Sequence, residues 1–190
     1  MRYVSVILSL ALVSLLVAFA PLRVLAQAPS GSLAPYVPTP NDVVDRMLTL
    51  AEVTKADTVY DLGCGDGRIV ITAAKKYGAH GVGVDIDPQR IAEATANAKA
   101  AGVEDLVQFK LQDARTVDLS PATVVTLYLL SASNLKLRPK LTHELKPGAR
   151  IVSHQFTMGD WEPTKKESFV DANGMTRPLY LWVVDGKPRS

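Results

Sequence analysis

Apolar positions along the chain alternate between short runs suited to strands and longer runs at helical spacing. Val43, Val44, Met47, Leu48 and Ala51 form the first helical stripe. Thr39-Pro40-Asn41-Asp42 precedes it, with a capping hydroxyl, a proline in the first turn and an acid three residues after the cap. Val59 to Leu62 is a short apolar strand, followed after a glycine-rich turn by a helix whose buried face is Ile69, Val70, Ala73, Ala74 and Tyr77, ended by Gly78. Gly81 to Val84 forms the next strand and finishes at Asp85, and Asp87-Pro88 caps an alanine-rich helix from Pro88 to Ala101. Val107, Phe109 and Leu111 alternate as a half-buried strand, and Val124 to Leu130 is a continuous apolar run of the kind a central parallel strand needs when both faces are covered. Leu135, Leu141 and Leu145 suggest a helix started or kinked by Pro139, with Lys136, Arg138 and Lys140 on its solvated face. A strand from Arg150 to Phe156 carries His154. Two last strands, near Glu167 to Val170 and Pro178 to Val184, flank Asn173-Gly174 and close the sheet as a hairpin. The alternation predicts an α/β chain: a three-layer, doubly wound, mostly parallel sheet with an antiparallel closing hairpin.

Composition changes this picture mainly at the amino terminus. The 190 residues suit one domain plus an appendage, with residues 1–28 as a signal peptide or membrane anchor, 29–38 as a linker and 39–186 as the folded domain. Val4 to Ala20 is an unbroken run of apolar residues and serines between Arg2 and Pro21. Small residues at Val24-Leu25-Ala26 suit signal-peptidase cleavage, which implies export. A retained anchor in the cytoplasmic membrane is the alternative, although the run is slightly short of the roughly 20 residues a spanning helix needs. Lys and Arg total 21 against 19 Asp and Glu, and removing Arg2 and Arg23 leaves the rest formally neutral. A basic footprint for nucleic acid is therefore absent. The single cysteine, Cys64, excludes an internal disulfide and a multi-cysteine zinc site, so no metal is expected.

Candidate chemistry centres on Val59-Tyr60-Asp61-Leu62-Gly63-Cys64-Gly65-Asp66-Gly67, a strand that runs through a glycine-rich turn into a helix N-terminus. Such a turn lets a ligand approach the main chain and meet free amides. The dinucleotide fingerprint needs a third small residue where Arg68 stands, so NAD-type binding is disfavoured. An acid at Asp61 would repel a pyrophosphate and attract a cationic ligand. Asp85 lies 24 residues beyond Asp61, near the spacing at which an acid at a strand end meets the ribose hydroxyls of a nucleoside. Tyr36, in Pro35-Tyr36-Val37-Pro38, stands just ahead of the domain as either a lid over the pocket or a staple for the linker.

The glycine-rich stretch resembles that of class I S-adenosylmethionine-dependent methyltransferases, with a Rossmann-like fold. Pro35 to Thr39, Asp61 to Val70 and Trp161 are similar to the mitochondrial lysine methyltransferases that modify an ATP synthase subunit and the adenine nucleotide carrier, which also carry an N-terminal membrane segment. The resemblance implies S-adenosylmethionine as cofactor, Asp61 at its amino-acid end, and Asp113 as acceptor from the adenine amino group. Gly63, Gly65 and Asp85 complete the expected cofactor site, with Tyr36 and Thr39 added. It also implies in-line methyl transfer to an amine, either a protein lysine or a small molecule. Tyr128 and His154 are the candidate catalytic side chains, by hydrogen bonding or as a base. After Leu127 the likeness weakens, because Leu129-Leu130-Ser131-Ala132-Ser133-Asn134 replaces the proline-bearing motif of many amino-methylating enzymes. A binding module without turnover is the rival reading.

The mass of the native N-terminus separates export from anchoring. Export gives a chain beginning at Gln27 or Pro29, whereas an anchor leaves Met1 intact on membrane-bound protein protected from external protease.

Overall fold

The structure, a computed structural model, describes residues 31–190. The apolar run expected to be a signal or anchor lies outside the described residues. Within them the order is α1 (Asn41–Leu50), β1 (Thr58–Leu62), α2 (Arg68–Tyr77), β2 (His80–Asp85), α3 (Pro88–Ala101), β3 (Val107–Leu111), β4 (Val124–Leu127), α4 (Ser131–Glu144), β5 (Arg150–His154), β6 (Lys165–Val170) and β7 (Thr176–Val183). The strands form one seven-stranded sheet in the order β3-β2-β1-β4-β5-β7-β6. β1 to β5 pair in parallel, and β7 is antiparallel to both β5 and β6. This is the doubly wound sheet with a closing hairpin that the apolar pattern predicts. The strand order reverses between β1 and β4, which leaves a crevice at their carboxyl ends.

Each sheet face has its own core because side chains alternate along a strand. Val59, Val124, Val152 and Leu179 pack under Val43, Val44, Met47 and Leu48 of α1 and Ile69, Val70 and Ala73 of α2. Leu62, Val125, Leu127 and Ile151 pack against Leu137 and Leu141 of α4, with Trp161 and Trp182 extending that layer beneath the hairpin. Space above β2 is scarce. A β-carbon at Gly83 would lie 2.6 Å from Phe109 and 2.9 Å from the Cys64 sulfur, so only glycine lets the turn after β1 fold down onto the sheet.

The structure corrects several local expectations. α1 starts one residue later than expected: its N-cap is Pro40, without a side-chain capping bond, and the Thr39 carbonyl instead accepts from Arg68 Nη1 at 2.8 Å. Leu111 is 58% exposed because β3 is an edge strand with no neighbour beyond it. α4 carries Pro139 inside the helix; its buried leucines are Leu137 and Leu141, while Leu135 is exposed. Arg138 does not face solvent freely. Its side chain is 13% exposed, donates to the Met158 carbonyl at 3.1 Å and pairs with Asp160. β5 stops at His154 rather than Phe156 because Gln155 takes a φ of 66°, outside the strand region.

One buried acid ties the amino-terminal edge of the sheet together. Asp57 accepts from Thr123 Oγ1 at 2.7 Å, from the Thr54 amide at 2.8 Å and from the Arg150 guanidinium, whose Nη1 also donates to the carbonyl of Ala51 at 2.7 Å. Burial opposes ionisation of Asp57, but these donors outweigh it and hold its pKa below the ordinary value. Replacing Asp57 by alanine leaves Arg150 without its partner and is expected to cost about 3 kcal/mol of stability. Urea unfolding measures this. The loss should begin to shrink as pH falls below about 4, where the aspartate of the unfolded chain protonates, and should reach its floor once pH has fallen through the lower pKa of the folded state.

Candidate functional site

The crevice at the switch point opens into a cavity of about 460 Å³, within the range of small-molecule sites. Its floor is the turn after β1. The amides of Gly63 and Cys64 donate to the Val84 carbonyl at 2.8 and 3.0 Å, which pins the turn to the end of β2. Gly65 has a φ of 52° and a β-carbon there would lie 2.4 Å from the Tyr36 ring, so both backbone conformation and space require glycine. The segment before α1 forms the opposite wall, with Ser32 to Thr39 all lining the cavity.

Four carboxylates surround this floor, and each is held differently. Asp61, 3% exposed, is the register partner of Thr126 on β4 and accepts from its hydroxyl at 2.7 Å. Burial, partly offset by that hydroxyl and reinforced by Asp85 and Asp66, pushes its pKa up to about 7. Asp85 is a backbone clamp: Oδ2 accepts from the Gly65 amide at 2.9 Å and Oδ1 from the Asp87 amide at 3.0 Å. Asp87 caps α3 through the Gln89 amide, as its position before Pro88 predicts. Asp66 is paired with Arg68, which bridges it to the Thr39 carbonyl, and its pKa is held below the ordinary carboxylate value against the opposing effect of burial.

Tyr36 is lid and staple together. Its ring covers Gly65, the Arg90 guanidinium sits 4.4 Å from its centroid, and the residue remains 46% exposed. The cavity thus brings together Tyr36, Thr39, Asp61, Gly63, Gly65, Asp85 and Tyr128. Asp113 is outside it. That residue lines a small adjoining pocket that shares Gly63 and Asp85, and its carboxylate accepts from the Arg115 amide at 2.8 Å and from the Arg115 side chain.

The two catalytic candidates separate. Tyr128, immediately after β4, lines the cavity and donates its hydroxyl proton to Gln155 Oε1 at 2.8 Å. His154 lies behind it, with ring centroids 4.0 Å apart, and is absent from the cavity lining. Neither ring nitrogen of His154 has a hydrogen-bond partner, and burial, together with the nearby Arg177 charge, pushes its pKa down to about 4. It is a neutral packing partner for Tyr128. Cys64 is buried, and burial with the neighbouring Asp61 and Asp85 raises its pKa, so the thiol is inert.

A family model for the ANTKMT methyltransferase domain matches residues 61–165, from the acid at the cavity floor to the start of β6. The chain belongs to that family. It is 50% identical over 151 residues to a protein-lysine N-methyltransferase of Saccharolobus islandicus, covering 79% of this chain and 93% of that one. It is 31% identical over 129 residues to a human lysine N-methyltransferase named for its ATP synthase substrate, covering 68% of this chain and 54% of that protein. A solved structure of an RNA methyltransferase from Salinibacter ruber in complex with S-adenosylhomocysteine superposes with a TM-score of 0.75 at 52% identity, covering 81% of this chain and 97% of that one. The chain is an S-adenosylmethionine-dependent methyltransferase with the Rossmann-like fold of its family.

The residues present fit that cofactor: a buried acid without a countercharge, a glycine cradle and a cavity of the required size face one another. Residues that sequence reasoning missed are those joined only by folding. Thr126 meets Asp61 through strand pairing, Arg68 reaches Thr39 and Arg90 reaches Tyr36 across the turn, and Gln155 meets Tyr128 from the turn after β5. The Asp66 to Arg68 and Asp113 to Arg115 contacts are local enough to have been foreseen, by their two-residue spacing.

The Asp61 environment predicts a measurable pH dependence. An aspartate in the unfolded chain loses its proton near 3.9, whereas folded Asp61 keeps it to about 7. Between these values the unfolded chain binds fewer protons, so this residue's effect is that stability falls as pH rises and levels off above the window. The difference in unfolding free energy between wild type and Asp61→Asn should therefore decline by on the order of 3 kcal/mol from about pH 4 to about pH 7. Urea unfolding without cofactor at several pH values measures it, and a flat difference would remove the strained carboxylate from the account.

Proposed function

We propose that the protein methylates a lysine of another protein, with the cofactor seated on Asp61, Gly63, Gly65 and Asp85 and enclosed by Tyr36 and Thr39. The observation that carries the reading is the alignment of Asp61 and Tyr128 on one cavity at the ends of neighbouring strands. Asp61 is the partner for the cofactor's cationic end, since a positive charge relieves a carboxylate that burial and its acidic neighbours destabilise. Asp85 offers its remaining lone pairs to the ribose hydroxyls, its orientation fixed by the two amides it already accepts. Asp113, beyond the shared Gly63 and Asp85 wall, keeps the role of adenine acceptor, with Arg115 fixing its carboxylate.

S-adenosylmethionine supplies a sulfonium methyl group whose departing thioether needs no protonation. The protein's own task is alignment, which can contribute roughly 7 to 11 kcal/mol. A lysine must also lose its proton, its free pKa being about 10.4. Tyr128 presents its hydroxyl oxygen to the arriving amine while its proton is engaged by Gln155, so the oxygen is left to accept from the nitrogen. The half-buried cavity favours the neutral amine by excluding water.

The names of the similar proteins divide between lysine and RNA as acceptor. Formal neutrality beyond Arg23 supports protein, since RNA binding draws on clustered Lys and Arg against phosphates. The conflict between an export signal and a cofactor made in the cytoplasm supports an anchor that keeps the domain beside its cofactor supply.

Transfer of a labelled methyl group tests the reading. Label on lysine after digestion of a cell extract is expected, label on RNA would redirect the acceptor, and tight cofactor binding without label on any acceptor would show a module without turnover. Tyr128→Phe should slow transfer by about tenfold or more at unchanged cofactor affinity. Asp85→Ala should weaken cofactor binding by about 1 to 3 kcal/mol by calorimetry.

A further inference from the structure

Among the described residues only Glu52 and Gln155 combine a side chain with a positive φ. Glu52 follows the end of α1, where the chain reverses out of the helix and its amide donates to the Thr49 carbonyl. Gln155 has no helix end to explain it. It is the centre of a three-residue turn in which the Phe156 amide donates to the His154 carbonyl at 2.9 Å, with φ at 66°. Turns of this hand are rare and strained, and they persist where the surroundings hold them in place.

Here the surroundings do so from three sides. The Gln155 amide donates to the Pro178 carbonyl on β7 at 2.8 Å. Ser153 Oγ donates to the Phe156 carbonyl at 2.7 Å. Asn134 of α4 donates through Nδ2 to the carbonyls of Phe156 and Thr157, both at 3.3 Å. Arg138, one turn further along α4, grips the Met158 carbonyl at 3.1 Å. The strained backbone delivers the Gln155 side chain to Tyr128, whose hydroxyl donates to Oε1 at 2.8 Å, while the His154 ring packs against the tyrosine ring with centroids 4.0 Å apart.

We propose that Gln155 is a positioning residue for methyl transfer: its strained turn fixes the direction of the Tyr128 hydroxyl proton, so that the oxygen lone pairs face the cavity where the acceptor amine arrives. The inference rests on Tyr128 serving the acceptor. A hydroxyl rotates freely unless its proton has a partner, and an oxygen that turned its proton towards the cavity would present a donor where the amine needs an acceptor. Asn134, Ser153 and Pro178 hold the turn, and the turn holds the tyrosine.

The experiment is a cycle of Tyr128→Phe, Gln155→Leu and the double variant, read as single-turnover methyl transfer, cofactor affinity and urea midpoint. Gln155→Leu is expected to slow transfer by about five- to tenfold with cofactor affinity within about twofold, and to add nothing once Tyr128 is phenylalanine. Gln155→Glu should retain most of the rate, because a carboxylate accepts the same proton. Gln155→Gly should slow transfer as leucine does while keeping or raising the urea midpoint, because glycine adopts the turn without strain. Equal slowing by Gln155→Leu with and without the tyrosine hydroxyl, or a sharply lowered midpoint in Gln155→Gly, would show a purely structural role. A slow Tyr128→Phe beside an unimpaired Gln155→Leu overturns this inference alone. An unimpaired Tyr128→Phe overturns the acceptor reading and this inference with it.

Discussion

A carboxylate without a countercharge at the carboxyl end of a central strand is the constraint around which the rest is arranged. Asp61 is almost wholly buried, its one side-chain donor is a neutral hydroxyl, and two further acids sit close enough to disfavour its ionisation. An isolated aspartate in such a place destabilises the fold, and nothing in the sheet requires an acid there. In the proposed reading, the cofactor's cationic end finds a partner that is in place before it arrives. The neighbouring acids are restrained in ways that keep Asp61 apart: Asp85 is tied to two amides and Asp66 to Arg68, so neither collapses onto it.

The same economy governs the cavity walls. The turn after β1 lies flat against the sheet because Gly83 leaves room for Cys64 and Phe109, and it carries Tyr36 because Gly65 has no side chain. Arg68 then joins the turn to the segment ahead of α1 through Asp66 and the Thr39 carbonyl. The cavity floor and its amino-terminal wall are one hydrogen-bonded unit, so the segment from Ser32 to Pro38 belongs to the cavity although its sequence reads as a linker.

The legible parts of the chain were those whose chemistry is contiguous. The strand, turn and helix from Val59 to Tyr77, the Asp87 cap and the closing hairpin all follow from residues within one or two turns of each other. Local signals misled where a distant group competed for the same atoms. Thr39 has every mark of a helix cap, yet Arg68 claims its carbonyl and the helix begins after it. Arg138 reads as a solvated helix residue, yet the Met158 carbonyl folds back to meet it. The pairing of Asp61 with Thr126, and of Tyr128 with Gln155, depends on strand register, which spacing along the chain does not encode.

This division explains why similarity speaks more clearly for the cofactor than for the acceptor. Of the proposed cofactor contacts, Asp61, Gly63 and Gly65 come from one uninterrupted segment and Asp85 from one strand end, so a change in any of these is felt locally. The proposed acceptor side draws on the ends of β4 and β5, the start of α4 and the wall ahead of α1, joined by hydrogen bonds such as those from Asn134, Arg138 and Ser133 to loop carbonyls. Backbone carbonyls accept regardless of which side chains the loop carries. A scaffold held in this way can persist while the residues it presents change, which accommodates two proteins about half identical to this chain that bear names with different acceptors.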